Sequence, residues 1–158
     1  MVAPLVDLST LDLTRPVLSE DELRGLLPHR EEFQMVDAIV HLDTEKGFIV
    51  GVKEWSAEPW WGRGLVPGRP LMPGVLMVEG AAQTASVLIK KAGGWDPARF
   101  IGLAGLENVR FRGAVVPPAR IYYVATTLSV STRMARVPAH CILGTRVVME
   151  MELGGVPL

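Results

Sequence analysis

The sequence predicts an α+β fold in which an antiparallel sheet is wrapped around one central helix. Residues 74–89 are mostly Val, Leu, Met, Ala and Gly, too apolar all round for a surface helix and too interrupted to cross a bilayer. Residues 33–55 have the pattern of a β-hairpin, and residues 100–153 form strand-like segments separated by Gly and Pro. A helix between two such regions can bury its apolar surface only against the sheet that they form.

The start of the chain is defined by proline and capping signals. Residues 1–18 have mixed polarity and two prolines, which predicts an extended or loosely packed N-terminal arm before a single domain over residues 19–158. Ser19 and Glu22 have the spacing of a capping box, in which each side chain bonds the other's backbone N–H. A short helix is therefore expected over residues 20–27, because a proline follows it.

The later elements follow from β-propensity and from Gly and Pro positions. Prolines lower the entropy of a loop while glycines allow close backbone approach, so the connection before the central helix should be an ordered loop near a ligand. Two lysines and two glycines suit the end of that helix. The predicted order is strand 33–42, turn 43–47, strand 48–55, loop 56–73, helix from 73 or 74 to about 91, and strands 100–112, 120–131 and 137–153, the last split near Gly144.

Composition excludes several classes of function. The chain has 158 residues and a formal net charge of -1, which does not suit nucleic acid as the main partner because phosphate binding needs a strongly basic face. Residues 1–79 contain 7 Lys and Arg against 13 Asp and Glu, whereas residues 80–158 contain 9 against 4. The basic second half is either a solvated surface or a docking face for an acidic partner.

Cysteine and histidine usage gives no sign of a metal or redox site. The one cysteine, Cys141, excludes an internal disulfide, and His29, His41 and His140 lack metal-ligand spacing. Nothing indicates a flavin or nucleotide, so no cofactor is expected. The first residues lack the basic region and apolar run of a secretory signal, and we expect a cytoplasmic protein without a membrane span.

One polar stripe interrupts the apolar central helix. Glu79, Gln83 and Ser86 are spaced i, i+4 and i+7, which places them on one helix face. A carboxylate in such surroundings is costly without a use, which favours a functional Glu79 over a buried acid merely bonded to its neighbours. For Gln83, satisfaction of a buried helix contact and a substrate role are both open.

Several motifs occur in a fixed order along the chain. They are Leu27-Pro28-His29-Arg30 with Phe33 and Val36-Asp37, Glu58-Pro59-Trp60-Trp61, residues 67–76 with Glu79 and Ala82-Gln83, Arg110-Phe111-Arg112, and Val115-Val116-Pro117. Together they resemble the 3-hydroxyacyl-acyl carrier protein dehydratases of the hot-dog fold, over roughly residues 19–153.

The resemblance implies homodimers or higher homo-oligomers with active sites at the dimer interface, and thioesters of acyl carrier protein or coenzyme A as partners. In such enzymes a loop histidine removes the proton alpha to the carbonyl, and a helix carboxylate of the other subunit assists loss of the β-hydroxyl. The carboxylate corresponds to Glu79, and the N–H that polarises the carbonyl corresponds to Gly74. The residues expected around the substrate are Gln83, Leu65, Pro67 and Trp61.

The chain departs from the family pattern at the histidine. Gly-His-Phe-Pro is replaced by Gly64-Leu65-Val66-Pro67, and the loop is one residue longer. Leucine cannot move a proton, and a positioned general base contributes a factor of ~10²–10⁴. His29 belongs to a motif that the family keeps beside its catalytic histidine, so we expect a structural role for it.

Three functions therefore compete. The first is an atypical or impaired dehydratase acting on 3-hydroxyacyl thioesters in fatty-acid or related synthesis. The second is a thioesterase that uses Glu79 as base or nucleophile, since related hot-dog thioesterases need no histidine. The third is a non-catalytic acyl-binding or partner subunit, which could complete a site in a heteromer with a histidine-bearing homologue.

Overall fold

The computed structural model describes residues 2–158. It contains one seven-stranded antiparallel sheet and a long helix packed on one of its faces, so the α+β, hot-dog prediction is confirmed. Strand order in the sheet is β1-β2-β4-β6-β7-β3, with the two-residue β5 beside β6. The elements are α1 Glu20–Leu26, β1 Ala38–Asp43, β2 Phe48–Trp55, α2 Gly74–Ala92, β3 Ile101–Phe111, β4 Ala119–Thr126, β5 Ser129–Val130, β6 Ala135–Leu143 and β7 Arg146–Pro157.

Helix α2 is the core element, and it packs on β2, β4, β6 and β7. It begins directly after Pro73, whose extended backbone suits a residue that precedes a helix. Near its other end the Lys90 ammonium donates to the carbonyls of Leu26 and Pro97, at 2.6 and 2.9 Å. Gly93 closes the helix by donating its N–H to Ile89. These bonds tie the C-terminal end of α2 to the end of α1 and to the loop after α2.

The predicted capping box of α1 is confirmed. The Ser19 N–H donates to the Glu22 carboxylate at 2.7 Å, and the Glu22 N–H donates to Ser19 Oγ at 3.4 Å. Two strand boundaries were wrong. Residues 31–33 form a 3-10 turn, so the first strand begins at Ala38 rather than at residue 33. The predicted strand over 120–131 is two strands, because Thr127 leaves the ladder and bonds Gly47.

The N-terminal arm lies on the outer face of the sheet, opposite α2. Apolar side chains of the arm pack on an outer cluster of valines and one isoleucine from five strands. The Leu5 N–H donates to Nδ1 of His140 at 3.3 Å, and Leu18 pairs with Ile39 in a β-bridge. The arm side chains in this contact are Val6, Leu8, Leu11 and Leu13, and the strand residues are Val40, Val50, Val52, Val124, Ile142 and Val147.

Strand β3 forms one edge of the sheet. It pairs with β7 on one side, and no strand of the described residues pairs with it on the other. Most of its residues are exposed, including the large apolar Leu103, Leu106 and Phe111. A long apolar edge strand of this kind is a surface for pairing with another chain. Among the described residues, no helix is long and apolar enough to cross a membrane.

Candidate functional site

Glu79 lines a narrow cleft between α2 and the beginning of β3. The cleft has a volume of about 90 Å³, and the Glu79 side chain is 30% exposed. The stripe of Glu79, Gln83 and Ser86 points into it, as the helical spacing predicted. The rest of the lining is mainly apolar and comes from Ala82, residues 100–103, Leu153 and Gly155, together with His29.

Gln83 connects Glu79 to the chain that precedes β1. Its amide nitrogen donates to Oε1 of Glu79 at 2.8 Å and to the Phe33 carbonyl at 2.7 Å. Its amide oxygen accepts the Met35 N–H at 3.1 Å. Both donor hydrogens of the amide are thus used inside the chain. The geometry supports the interpretation that Gln83 satisfies buried partners and holds Glu79.

His29 also contacts Glu79, which the sequence motifs did not predict. Its Nε2 lies 3.3 Å from Oε1 of Glu79, although 50 positions separate the two residues. Burial lowers the pKa of His29, while the Glu79 carboxylate acts in the opposite direction. The imidazole is therefore neutral near pH 7. The Pro28-His29-Arg30 motif was the available signal, but the contact itself depends on how the turn after α1 meets α2.

Arg30 fixes the backbone that carries His29. Its guanidinium donates to the carbonyls of Leu27, His29 and Arg24, at 2.8, 2.7 and 2.8 Å. The Arg24 carbonyl lies in the last turn of α1, where carbonyls have no partner within the helix, and the Leu27 and His29 carbonyls follow the helix end. The arginine therefore closes the helix and sets the direction in which His29 points.

Gly74 lies at the start of α2, in a separate open groove of about 540 Å³. The Phe111 ring covers it so closely that a Cβ at position 74 would lie 2.6 Å from Cε1 of Phe111. The first N–H groups of a helix are unpaired and carry positive partial charge, which suits binding of an oxyanion. Arg112 also lines this groove.

The remaining predicted residues do not reach the Glu79 cleft within one chain. Leu65 is 49% exposed and its N–H donates to the Trp61 carbonyl, and Pro67 is exposed in the same loop. Trp61 is buried, and its indole N–H donates to the Leu71 carbonyl at 3.1 Å. It packs edge-on against Trp55, so it anchors the loop to the core.

Within one chain, Glu79, Gln83 and His29 therefore line one cleft, and Gly74 lies in a separate groove. Leu65 lines neither of them. Gly74 and Glu79 are five residues apart on α2, which turns them about 140° from each other around the helix axis. Within residues 2–158, no group of three His, Cys, Asp or Glu side chains is placed to hold a metal ion.

Comparison with known proteins identifies relatives of the whole fold. A family model described as a FabA-like domain matches residues 27–152. A 3-hydroxyacyl-acyl-carrier-protein dehydratase FabZ of Rhizobium leguminosarum bv. trifolii is 39% identical over 149 residues, covering 93% of this chain and 95% of the relative.

Two solved structures share the fold at low sequence identity. The dehydratase heterocomplex ApeI:P from Xenorhabdus doucetiae has a TM-score of 0.71 at 16% identity, covering 86% of this chain and 90% of that one. A hypothetical thioesterase with coenzyme A from Streptococcus pneumoniae has a TM-score of 0.57 at 8% identity, covering 76% and 84%.

Proposed function

The chain belongs to the FabA-like family and is a relative of the FabZ dehydratases, and we propose that it binds 3-hydroxyacyl thioesters and eliminates water from them slowly. The observation that carries this proposal is Glu79, held by Gln83 in the lining of a narrow, mainly apolar cleft. Such a cleft suits part of an acyl chain, with the carboxyl group beside it. The low rate follows from Leu65, which stands where the family has its base.

The complete site in this proposal is shared by two copies of the chain. The Glu79 cleft is lined by residues 100–103 at the beginning of β3, and the Gly74 groove by Phe111 at its end. If two β3 edges pair in antiparallel fashion about a twofold axis, the beginning of one strand lies beside the end of the other. Each site would then combine Glu79 of one copy with Gly74 of its partner. The exposed edge of β3 supports this arrangement.

The proposed chemistry assigns one step to each group. The Gly74 N–H stabilises negative charge on the thioester oxygen as the α C–H bond breaks. The β C–O bond then breaks, a C=C bond forms, and the Glu79 carboxyl donates its proton to the departing hydroxyl, which leaves as water. At position 65 leucine cannot accept the α-proton, so a solvent water takes it and Glu79 regains its own proton from solvent. Without a positioned base the reaction loses the factor of ~10²–10⁴ that such a base contributes.

An acyl carrier protein or coenzyme A would deliver the acyl group. Arg63 and Arg69 are exposed in the loop around Leu65, and Arg112 lines the Gly74 groove, so both regions carry basic side chains. Complementary charge steers the encounter with an acidic carrier. A reducing cytoplasm is the setting that we propose, since the one cysteine, Cys141, is buried and unpaired.

The test compares the natural chain with Leu65→His and Glu79→Gln on 3-hydroxyacyl thioesters of several lengths. We expect slow elimination by the natural chain, a gain of ~10²-fold or more with Leu65→His, and loss with Glu79→Gln. Circular dichroism establishes that each protein is folded. Folded natural chain and folded Leu65→His that both fail to eliminate or add water would refute the proposal.

Thioester hydrolysis is the second candidate, favoured by a carboxylate that is present without the loop histidine. Glu79 would deprotonate a water that attacks the carbonyl carbon, after which the C–S bond breaks and the thiol leaves. A solved neighbour described as a hypothetical thioesterase with coenzyme A supports this candidate at the level of fold. Thiol release from saturated acyl thioesters that disappears in Glu79→Gln would establish it.

The third candidate is a partner subunit, favoured by Leu65 itself. Paired with a histidine-bearing relative, this chain would supply Glu79 to one complete site, whereas the site formed with its own Leu65 loop would lack a base. A neighbour described as a dehydratase heterocomplex supports the idea. Co-purification with such a relative, and activity that appears only on mixing, would distinguish it from a homodimeric enzyme.

A further inference from the structure

The contact between His29 and Glu79 involves only one of the two carboxylate oxygens of Glu79. Gln83 and His29 both approach Oε1 of Glu79, at 2.8 and 3.3 Å, and no hydrogen bond within residues 2–158 holds Oε2. Oε1 thus accepts a hydrogen bond from Gln83 and has His29 Nε2 within 3.3 Å, whereas Oε2 has neither contact. An anchored carboxylate keeps its reacting oxygen in one orientation, which is a main requirement for proton transfer.

We propose that His29 is a positioning residue of the Glu79 site, with neutral imidazole presenting its Nε2–H to Oε1 and leaving Oε2 as the oxygen that exchanges protons with substrate. This inference rests on the proposed function and refines it, because it names the reacting atom. The proposal also assigns a role to the imidazole of the Pro28-His29-Arg30 motif, which is to orient the Glu79 carboxylate. His29 itself does not touch the substrate in this assignment.

The surroundings of His29 favour the neutral Nε2–H form. Burial, Arg30 and Lys90 all disfavour a proton that would make the ring cationic, and only Glu79 favours it. Nδ1 is buried and has no hydrogen-bond partner among the described residues. An N–H there would be buried without an acceptor, whereas an N–H at Nε2 faces a carboxylate oxygen.

The backbone around His29 is held firmly enough for a positioning role. Arg30 binds the carbonyls on both sides of the turn, and the next residue, Glu31, has a φ of 53°. A non-glycine residue stays in this left-handed region when the surrounding structure determines its conformation. The imidazole therefore starts from a fixed Cα and reaches Glu79 without a mobile linker.

Nitrogen-15 NMR of the histidine rings tests the contact without any turnover. The chain has three histidines, so the signal that disappears in His29→Gln identifies His29. We expect the Nε2–H tautomer at pH 7, and a further lowering of the pKa of His29 in Glu79→Gln, because the carboxylate that favours the proton is removed. An Nδ1–H tautomer, or a His29 pKa that does not respond to Glu79→Gln, would overturn the proposal.

Kinetics tests the consequence, in whichever of the natural chain and Leu65→His turns over faster. His29→Leu should lower kcat roughly ten- to a hundredfold with little change in KM, the loss expected for one hydrogen bond to a charged group. His29→Gln keeps an N–H donor and should restore most of the rate, whereas His41→Leu, which replaces a ring stacked on Phe48, is the matched control.

The two tests separate the two hypotheses. Unchanged kcat in His29→Leu, or no rescue by His29→Gln, would refute the positioning role even where turnover is high. Absence of turnover in every variant, with the expected tautomer and the expected response to Glu79→Gln, would count against the proposed function and support the contact.

Discussion

Replacement of Gln83 by leucine should loosen the segment before β1 from the central helix. Gln83 is 1% exposed and bonds Phe33, Met35 and Glu79. Leucine is similar in size but has no polar atoms, so the buried Met35 N–H loses its acceptor. An unsatisfied buried group costs about 1–3 kcal/mol, and each of the two partly exposed bonds adds about 0.5–1.5 kcal/mol. With some return from burying leucine, we expect a loss of about 2–4 kcal/mol.

Urea unfolding measures this loss through the midpoint, provided that the slope with denaturant is unchanged. Ser86→Ala is the matched control on the same helix face, because the Ser86 hydroxyl bonds only the Ala82 carbonyl of its own helix at 2.9 Å. That variant should change the free energy of unfolding by no more than about 0.5 kcal/mol. A loss below about 1 kcal/mol in Gln83→Leu would show that the amide does not connect the two segments.

Three further predictions concern packing and pH. Gly80→Ala places a Cβ 2.2 Å from Cζ of the buried Tyr123. The overpacking should cost about 1–3 kcal/mol, outweigh the gain in helix propensity and lower Tm. Gly25→Ala is the control, because nothing lies within 4 Å of its Cβ, and it should raise Tm. Leu8→Asp should cost about 1 kcal/mol in urea unfolding by lifting the arm from the outer cluster, and an unchanged midpoint would contradict the packing. Burial lowers the pKa of His140 below its ordinary 6.5, so the unfolded chain takes up a proton on this ring at a higher pH than the folded chain does. The free energy of unfolding should therefore fall as pH drops from 6.5 toward the lowered pKa. Urea unfolding at stepped pH should show a smaller fall in His140→Gln than in the natural chain.

The helix and the hairpin could be predicted because their signals are local. The mostly apolar segment between Pro73 and Gly93 favours a buried helix, and the turn before β2 is marked by Asp43 and Gly47. The start of β1 was misplaced because Phe33 has strand propensity. In the structure Phe33 instead ends a 3-10 turn, and its carbonyl accepts a hydrogen bond from Gln83.

The residues of the candidate site could be proposed from the sequence, whereas their arrangement could not. Glu79 stands out as the one acid on an apolar helix, and Leu65 stands out where the family motif has a histidine. The approach of His29 to Glu79 is a tertiary contact that no periodicity encodes. The surface on which the arm packs could not be predicted for a similar reason, since Val6, Leu8 and Leu11 have no regular spacing and the sheet face that they contact is formed by distant strands.

The position of Gly74 and Glu79 on one helix has a consequence for cooperativity. In the proposed pair of copies, each α2 supplies an N–H to one site and a carboxylate to the other, about 7.5 Å further along the same axis. Both groups belong to one continuous helix, α2 Gly74–Ala92, so a displacement of this helix acts on both sites. Occupation of one site that shifts α2 would therefore change the geometry of the second, and the two sites would bind acyl groups as linked rather than independent events.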